Sequence, residues 1–401
     1  MKEAVIVDYL RTPMSRSRPD KPEMAAFHEI PADNLLAMVV KEIIKRAKFD
    51  PNDIDEMITG CARLVGENFT WGGKQPAWLG LLPATVATMG VDRQCGSSMT
   101  SVHIAAMEIM TGGSEIALAC GMENMTRIYR QADLAVKHTE LADVKRFPDH
   151  AKYNLDTGFS MLQTAQKLWE ENPDITRADM DRYSLQSRER AAKARDDGFF
   201  DCEILPIEGK TSDGSAKIMK YDLSIREGST MEKMASLRVF SEGINKDPQI
   251  TAGNSSPLNA GASCAVLMSQ ERAENLGIKP MAKIRGFGWA GVDPSVMGKG
   301  PVPSSRKALK HAGLEVEDID YWEINEAFAI VPLYAMKILG IPEDKVNVKG
   351  GAIALGHPLG ATGARLVGTL ARILDVERGK LGCATACVGG GQGTAMIIEK
   401  Q

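Results

Sequence analysis

Hydrophobic positions change period repeatedly along the chain. The opening stretch EAVIVDYL is a short apolar run and reads as a buried strand. Residues 34–48, NLLAMVVKEIIKRAK, carry apolar side chains at helical spacing, and IDEMITGCA returns to a strand pattern. In residues 95–111, Val102, Ala105, Ala106, Ile109 and Met110 fall at i, i+3, i+4, i+7 and i+8. That is one apolar stripe of a helix, which Gly112 and Gly113 end. SEIALACGMEN follows as a strand running into a loop. The alternation predicts an α/β fold with crossovers and a mostly parallel sheet.

The same order recurs near the C-terminus. GHPLGATGARLVGTLARIL starts in glycines, and its helix sets Val367, Leu370, Ala371 and Leu374 on one face. A short connection through Gly379 leads to the strand LGCATACVG. Glycine turn, helix, tight connection, strand, glycine: the order occurs twice, with little identity between the copies, and predicts two similar halves. Residues 123–244 differ in being rich in Asp, Arg, Lys and Gln. They contain the helix TRADMDRYSLQSRERAAKAR, with Thr176 as cap and Asp179 closing an acidic capping box. Most of this stretch is expected to be a charged surface insertion.

Composition narrows the class. With 401 residues, 44% hydrophobic and 25% charged, the chain has the make-up of an ordinary globular protein with a sizeable core. A net charge of -4 gives nucleic acid or an anionic membrane no electrostatic claim as main partner. Any phosphate-bearing ligand needs local positive groups. The N-terminal apolar run is interrupted by Asp8 and is too short for a signal peptide, and no stretch reaches the length of a membrane span. The seven cysteines are odd in number and scattered, which argues for a reducing compartment, the cytoplasm or an organelle matrix. Cys383 and Cys387 lack flanking histidines at zinc-site spacing, so no metal is expected.

Four segments could carry chemistry. Gln94-Cys95-Gly96-Ser97-Ser98 places a thiol where a helix begins, and the helix N-terminus is expected to favour thiolate. Alone, such a cysteine is more often a small core residue. Gly350 to Gly363 sets His357 in a glycine-dense turn where it could serve as base or oxyanion donor, and fits neither GxGxxG nor a P-loop. Cys387 ends a strand and enters Gly389-Gly390-Gly391, a tight hairpin whose bare N–H groups suit an oxyanion hole. Asn325-Glu326-Ala327-Phe328-Ala329 follows the strand-like YWEI.

Together these segments, in this order, resemble the thiolase family. Arg11-Thr12-Pro13, TAGNSSPLNAGA at 251–262 and Gly298-Lys299-Gly300-Pro301-Val302-Pro303 extend the resemblance over nearly the whole chain. It implies a duplicated αβαβα layered fold with mixed sheets and an inserted loop domain. The halves would be 1–122 with 245–275, and 276–401, around a loop domain at 123–244 that binds coenzyme A (CoA) and makes oligomer contacts. The activity implied is acyl-CoA C-acyltransfer, cleaving a 3-ketoacyl-CoA with CoA or running the reverse Claisen condensation, as in fatty acid metabolism. Cys95 would be the nucleophile, His357 its base and Cys387 the second acid/base. Asn325 would hold a water that forms one oxyanion hole with His357, and the N–H groups of Cys95 and Gly389 the other. Arg226 and Ser256 match CoA-binding positions, and Met161 and Phe328 would flank the acyl pocket, with core packing an equal reading for Met161. CoA enters as substrate or product, and no cofactor is implied. A homodimer is expected, or a homotetramer through residues 123–150.

The chain departs from the family pattern at Ser98, Ser160, Leu162, Gln392 and Met14-Ser15-Arg16. These departures point to an acyl group other than that of plain acetoacetyl-CoA. Three alternatives stay open here: a carrier-protein ketosynthase, a scaffold without turnover, and a thiolase subunit acting on a bulky or aryl substrate beside a small OB-fold partner.

Overall fold

The computed structural model describes residues 2–129, 143, 145, 148–240 and 245–401. Twelve strands run along the chain: β1 Ala4–Arg11, β2 Ser15–Arg16, β3 Glu56–Gly60, β4 Ala87–Val91, β5 Ile116–Asn124, β6 Ile207–Lys210, β7 Ala216–Met219, β8 Asn259–Ser269, β9 Ala282–Gly291, β10 Tyr321–Ile324, β11 Leu381–Val388 and β12 Gln392–Lys400. Nine of them form the path β10-β11-β12-β9-β1-β8-β5-β3-β4, with β2 beside β8, and β6 and β7 form a separate hairpin.

The sheet has a repeat about its centre. Outward from β1 come β8, β5 and β3, paired antiparallel, antiparallel and parallel. Outward from β9 come β12, β11 and β10, in the same three senses. β1 and β9 meet antiparallel, Val5 opposite Lys283, and fuse the halves into one sheet. The duplicated α/β architecture therefore stands. The mostly parallel sheet read from periodicity does not, because among the described residues only three strand pairings are parallel, β3–β4, β3–β5 and β10–β11. In each half a long strand (β8 or β12) lies antiparallel between the half's first strand and its crossover strand, a topology that periodicity does not encode.

Five layers follow from the packing. Helix α1 (Ala32–Arg46) packs with Val5, Met57, Leu118 and Val266 on one face of the first half-sheet. Helices α2 (Ser97–Thr111) and α5 (Thr362–Val376) lie in the middle, where Met99, Val102, Leu366 and Leu370 share a core with the inner faces of both half-sheets. Beyond the second half-sheet, helix α4 (Pro301–Ala312) packs with Cys383, Ala395 and Ile397. The single stripe expected on α2 is thus incomplete. A helix between two sheets is buried on most sides, and Ser97, Ser98, Ser101 and His103 are buried with the apolar residues.

The charged helix α3 (Arg177–Asp196) has the expected capping box, with Thr176 accepting from Asp179 N–H and Asp179 accepting from Thr176. It is not mere surface. Met180, Tyr183, Ser187 and Ala191 are buried against the second half, and Gly350 sits so close that a Cβ there would lie 2.6 Å from Ala191 Cβ. The expected tetramer contact at 123–150 lies largely outside the described residues.

Candidate active site

The chemistry-bearing segments converge at the C-terminal ends of β3, β5, β10 and β11 and at the starts of α2 and α5, the usual place for a site on parallel strands. Cys95 stands in a 3₁₀ turn, Gln94–Gly96, directly before α2 and not inside it. Gln94 holds a positive φ of 44°, and its amide donates to Ala62 O at 3.0 Å. This strained residue throws the next side chain toward the cavity (a sharp elbow, of the sort that functional sites retain).

Burial governs the thiol. It pushes Cys95 up to about 11, and hydrogen bonds from the N–H groups of Gly389 and of Cys95 itself pull only part of the way back. Burial thus works against the depressed thiol expected at a helix start, and the hydrogen bonds offset only part of it. Burial also raises Cys387, and the neighbouring Cys95 adds to the effect. The two sulfurs are thus electrostatic neighbours, although Cys387 itself is fully buried.

His357 is set by its turn. Gly356 has φ 124°, and a Cβ there would come within 2.6 Å of Asn259 Nδ2. Glycine is what that approach requires. Asn259 in turn accepts from His357 N–H at 2.8 Å and donates to Ser15 O and Ser224 Oγ. The tautomer follows from proton counting. Thr362 Oγ1 donates its one hydrogen to Pro358 O at 2.8 Å, so at 2.6 Å it offers His357 Nδ1 only lone pairs. Nδ1 carries the proton, and Nε2 is the free base, accepting from Asn325 Nδ2 at 3.3 Å. Burial first, then the Arg365 charge, lower His357 to about 3, so the ring is neutral at neutral pH.

Asn325 is fully buried, and its Oδ1 has no partner among the described residues. The next residue, Glu326, anchors the segment: its carboxylate accepts from Tyr183, Ser187, Asn347 and the Ile353 N–H at 2.8–3.0 Å. This cluster ties α3, the Asn325 turn and the glycine segment ahead of His357 together. None of its outer members was singled out in the sequence, since Tyr183 and Ser187 look like ordinary positions of a polar helix.

One cavity of about 1390 Å³ opens onto these groups. Cys95, His357, Gly389, Met161, Phe328, Ser256 and Arg226 all line it, so seven of the nine expected site residues share one space. Cys387 and Asn325 are fully buried next to it, Cys387 within electrostatic reach of Cys95 and Asn325 hydrogen-bonded to His357. Met161 both lines the cavity and packs on the core, which unites its two readings. Arg16, Arg18, Lys21, Arg63, Arg93, Arg188 and Arg226 line it against only Asp20 and Asp92. In a chain of net charge -4 that is a local cationic funnel. Of the departures, Arg16, Leu162 and Gln392 line the cavity. Ser98 does not: its Oγ accepts from Ala364 N–H at 2.9 Å in the first turn of α5. Ser160 caps the helix Met161–Glu170, and Met14 is core. These three do not form part of the cavity wall.

A buried cysteine and a neutral histidine base, facing one cationic cavity in a five-layered duplicated fold, define the class: an acyltransferase. Residues 4–271 match the family description "Thiolase, N-terminal domain" and residues 278–400 match "Thiolase, C-terminal domain". The 3-ketoacyl-CoA thiolase of Marinobacter nauticus is 41% identical, covering 100% of this chain and 98% of that protein. That of Aliivibrio fischeri is 39% identical over 100% of both. Among solved structures, Bacillus anthracis acetyl-CoA acetyltransferase superposes with a TM-score of 0.85 at 33% identity, covering 100% of this chain and 99% of that one. Human mitochondrial 3-ketoacyl-CoA thiolase gives 0.86 at 30%, with the same coverage. The chain belongs to the thiolase family. These comparisons do not favour the ketosynthase, scaffold or heteromeric readings. Among the described residues, no helix is long and apolar enough to cross a membrane, and no group of three or more His, Cys, Asp or Glu could hold a metal.

Proposed function

We propose that this thiolase acts on 3-ketoacyl-CoA and CoA through an acyl-Cys95 intermediate, with His357, Cys387 and Asn325 in the roles assigned above. One observation carries the reading: Cys95 Sγ, the Gly389 N–H that donates to it, and the cavity-facing His357 share one desolvated wall. With the thiol raised and the imidazole lowered, both are neutral at rest. The thiol proton therefore passes to His357 Nε2 as sulfur attacks the 3-keto carbon. The oxyanion formed there is met by N–H groups or by the Asn325–His357 pair. The C2–C3 bond breaks, and the departing carbanion of acetyl-CoA takes its proton from Cys387. CoA then attacks the acyl-cysteine, and the thiol of CoA supplies the proton that restores the site.

Arg226 and Ser256 support the CoA reading from the cavity wall, where Ser256 is fixed by its N–H and Oγ to Ala327 O. We also place the protein in the cytoplasm and treat residues 123–244 as the loop domain. The test is intact-mass spectrometry after mixing with 3-ketoacyl-CoA. An acyl adduct on Cys95, absent in Cys95→Ala along with turnover, is expected. Wild-type turnover in Cys95→Ala would overturn the mechanism.

A further inference from the structure

Several buried or half-buried arginines of this chain are committed to carboxylates. Arg11 binds Asp222 and Glu203, Arg127 binds Glu67, and Arg365 binds Glu323. Arg63 makes no ion pair and its side chain has no hydrogen-bond acceptor among the described residues; the one carboxylate it acts on, Glu123, is buried and raised to about 7. It is half-buried, lines the cavity, and holds its guanidinium 4.5 Å from the centre of the Tyr129 ring. Tyr129 is close enough to both Arg63 and Cys95 for their charges to act on it. Arg63 likewise acts on buried Glu123, which itself acts on Cys95. Arg63 thus lines the same cavity as the nucleophile, stacked on a ring that the Cys95 charge reaches.

That position separates it from the other cavity cations. CoA carries its phosphates at the far end of the pantetheine arm, many bonds from its sulfur. When the thioester carbon sits at Cys95, those phosphates lie away from it, and a cation near the nucleophile faces the acyl portion. Arg93, the other arginine near in sequence, is turned aside over the Trp289 ring and acts on His103. An arginine stacked on a tyrosine is preorganised: its planar fork stays open to a carboxylate while the ring supports its face. A plain alkyl chain would have to pass this group without satisfying it.

We propose that Arg63, carried on Tyr129, recognises a carboxylate on the acyl chain, so that the substrates include short 3-oxo-dicarboxylic acyl-CoA thioesters. This rests on the proposed thiolase activity. A charge-assisted hydrogen bond made in a partly desolvated pocket gives roughly tenfold or more in kcat/KM. The experiment compares thiolysis of two chains of equal length, one ending in methyl and one in carboxylate, by wild type, Arg63→Met and Arg63→Lys. The expected result is a preference of about tenfold for the carboxylate in wild type. It should fall toward unity in Arg63→Met and be partly kept in Arg63→Lys. A wild-type preference for the methyl chain overturns the proposal without any variant. So does a wild-type ratio that Arg63→Met leaves unchanged. If neither thioester is cleaved and Cys95 takes no acyl group from either, it is the thiolase reading that fails.

Discussion

Glu123 is a carboxylate placed where charge is costly. It ends β5 fully buried, accepts from Ala62 N–H at 3.1 Å and Gly360 N–H at 3.2 Å, and so joins the loop beside Cys95 to the turn of His357. Burial pushes it from 4.5 to about 7, against the pull of those two N–H groups and Arg63. The sign follows. A folded-state value above the unfolded one means a contribution that is full below about pH 4.5 and is lost as pH rises through 7. Glu123→Gln removes this titration while keeping an amide oxygen for the N–H groups. The stability of wild type relative to Glu123→Gln should therefore decline between pH 4.5 and 8, by up to about 3 kcal/mol. Urea midpoints of both proteins across that range measure it. A difference that is flat, or that grows with pH, would show that Glu123 is already charged in acid.

At the scale of elements, the candidate site depends on two helices meeting closely. Cys95 lies just before α2 and His357 in the turn ahead of α5, and the two helices touch at Gly363, where a Cβ would lie 2.1 Å from Met99 N. Ser98 Oγ adds the hydrogen bond from Ala364 N–H across the same contact. Gly363→Ala should cost at least about 3 kcal/mol, since backbone cannot yield as a side chain does. Gly112→Ala is the control: that glycine has φ 81° with nothing within 4 Å of its Cβ, and should cost only about 1–2 kcal/mol. Thermal unfolding of the two variants decides; equal losses would mean the helices are free to part. The sequence announced these helices because glycines and apolar spacing mark their starts and faces. It pointed to Cys95, His357, Asn325 and Cys387 through four segments taken together in order, since each alone reads more readily as ordinary structure. What it withheld depends on three-dimensional geometry: the Thr362 acceptor that fixes the His357 tautomer, the Tyr183–Glu326 tie, and the burial that raises the Cys95 thiol. A helix end is visible in one dimension, whereas desolvation is a property of the assembled layers, and burial is the largest influence on the Cys95 thiol.

At the scale of the molecule, the two sheet edges are finished differently. The β10 edge is covered through the bridge of Trp322 to Val346. Among the described residues the β4 edge has no strand beyond it, and the segment beside it is apolar and open. Trp71 is 70% exposed and Leu81 74%, with Phe69, Trp78 and Met89 also exposed. They form one surface, since Phe69 and Trp71 rings lie 5.9 Å apart and a Cβ at Gly73 would meet Met89 O at 2.8 Å. An unpaired strand bordered by exposed aromatics is a liability for a lone chain and a ready template for a second copy, because antiparallel pairing of two β4 strands would extend one sheet across both protomers. We therefore expect a homodimer joined along β4. Because Gly73 and Thr70 pack on β4, and the loop from Cys61 to Asn68 leads from Arg63 to this surface, the dimer would also steady the wall of the cavity. Trp71→Glu with Leu81→Glu should halve the mass seen by sedimentation velocity at micromolar concentration, and lower turnover with it as the 61–68 loop loosens. A double variant that sediments as wild type, or a wild type that is monomeric, would remove β4 as the interface.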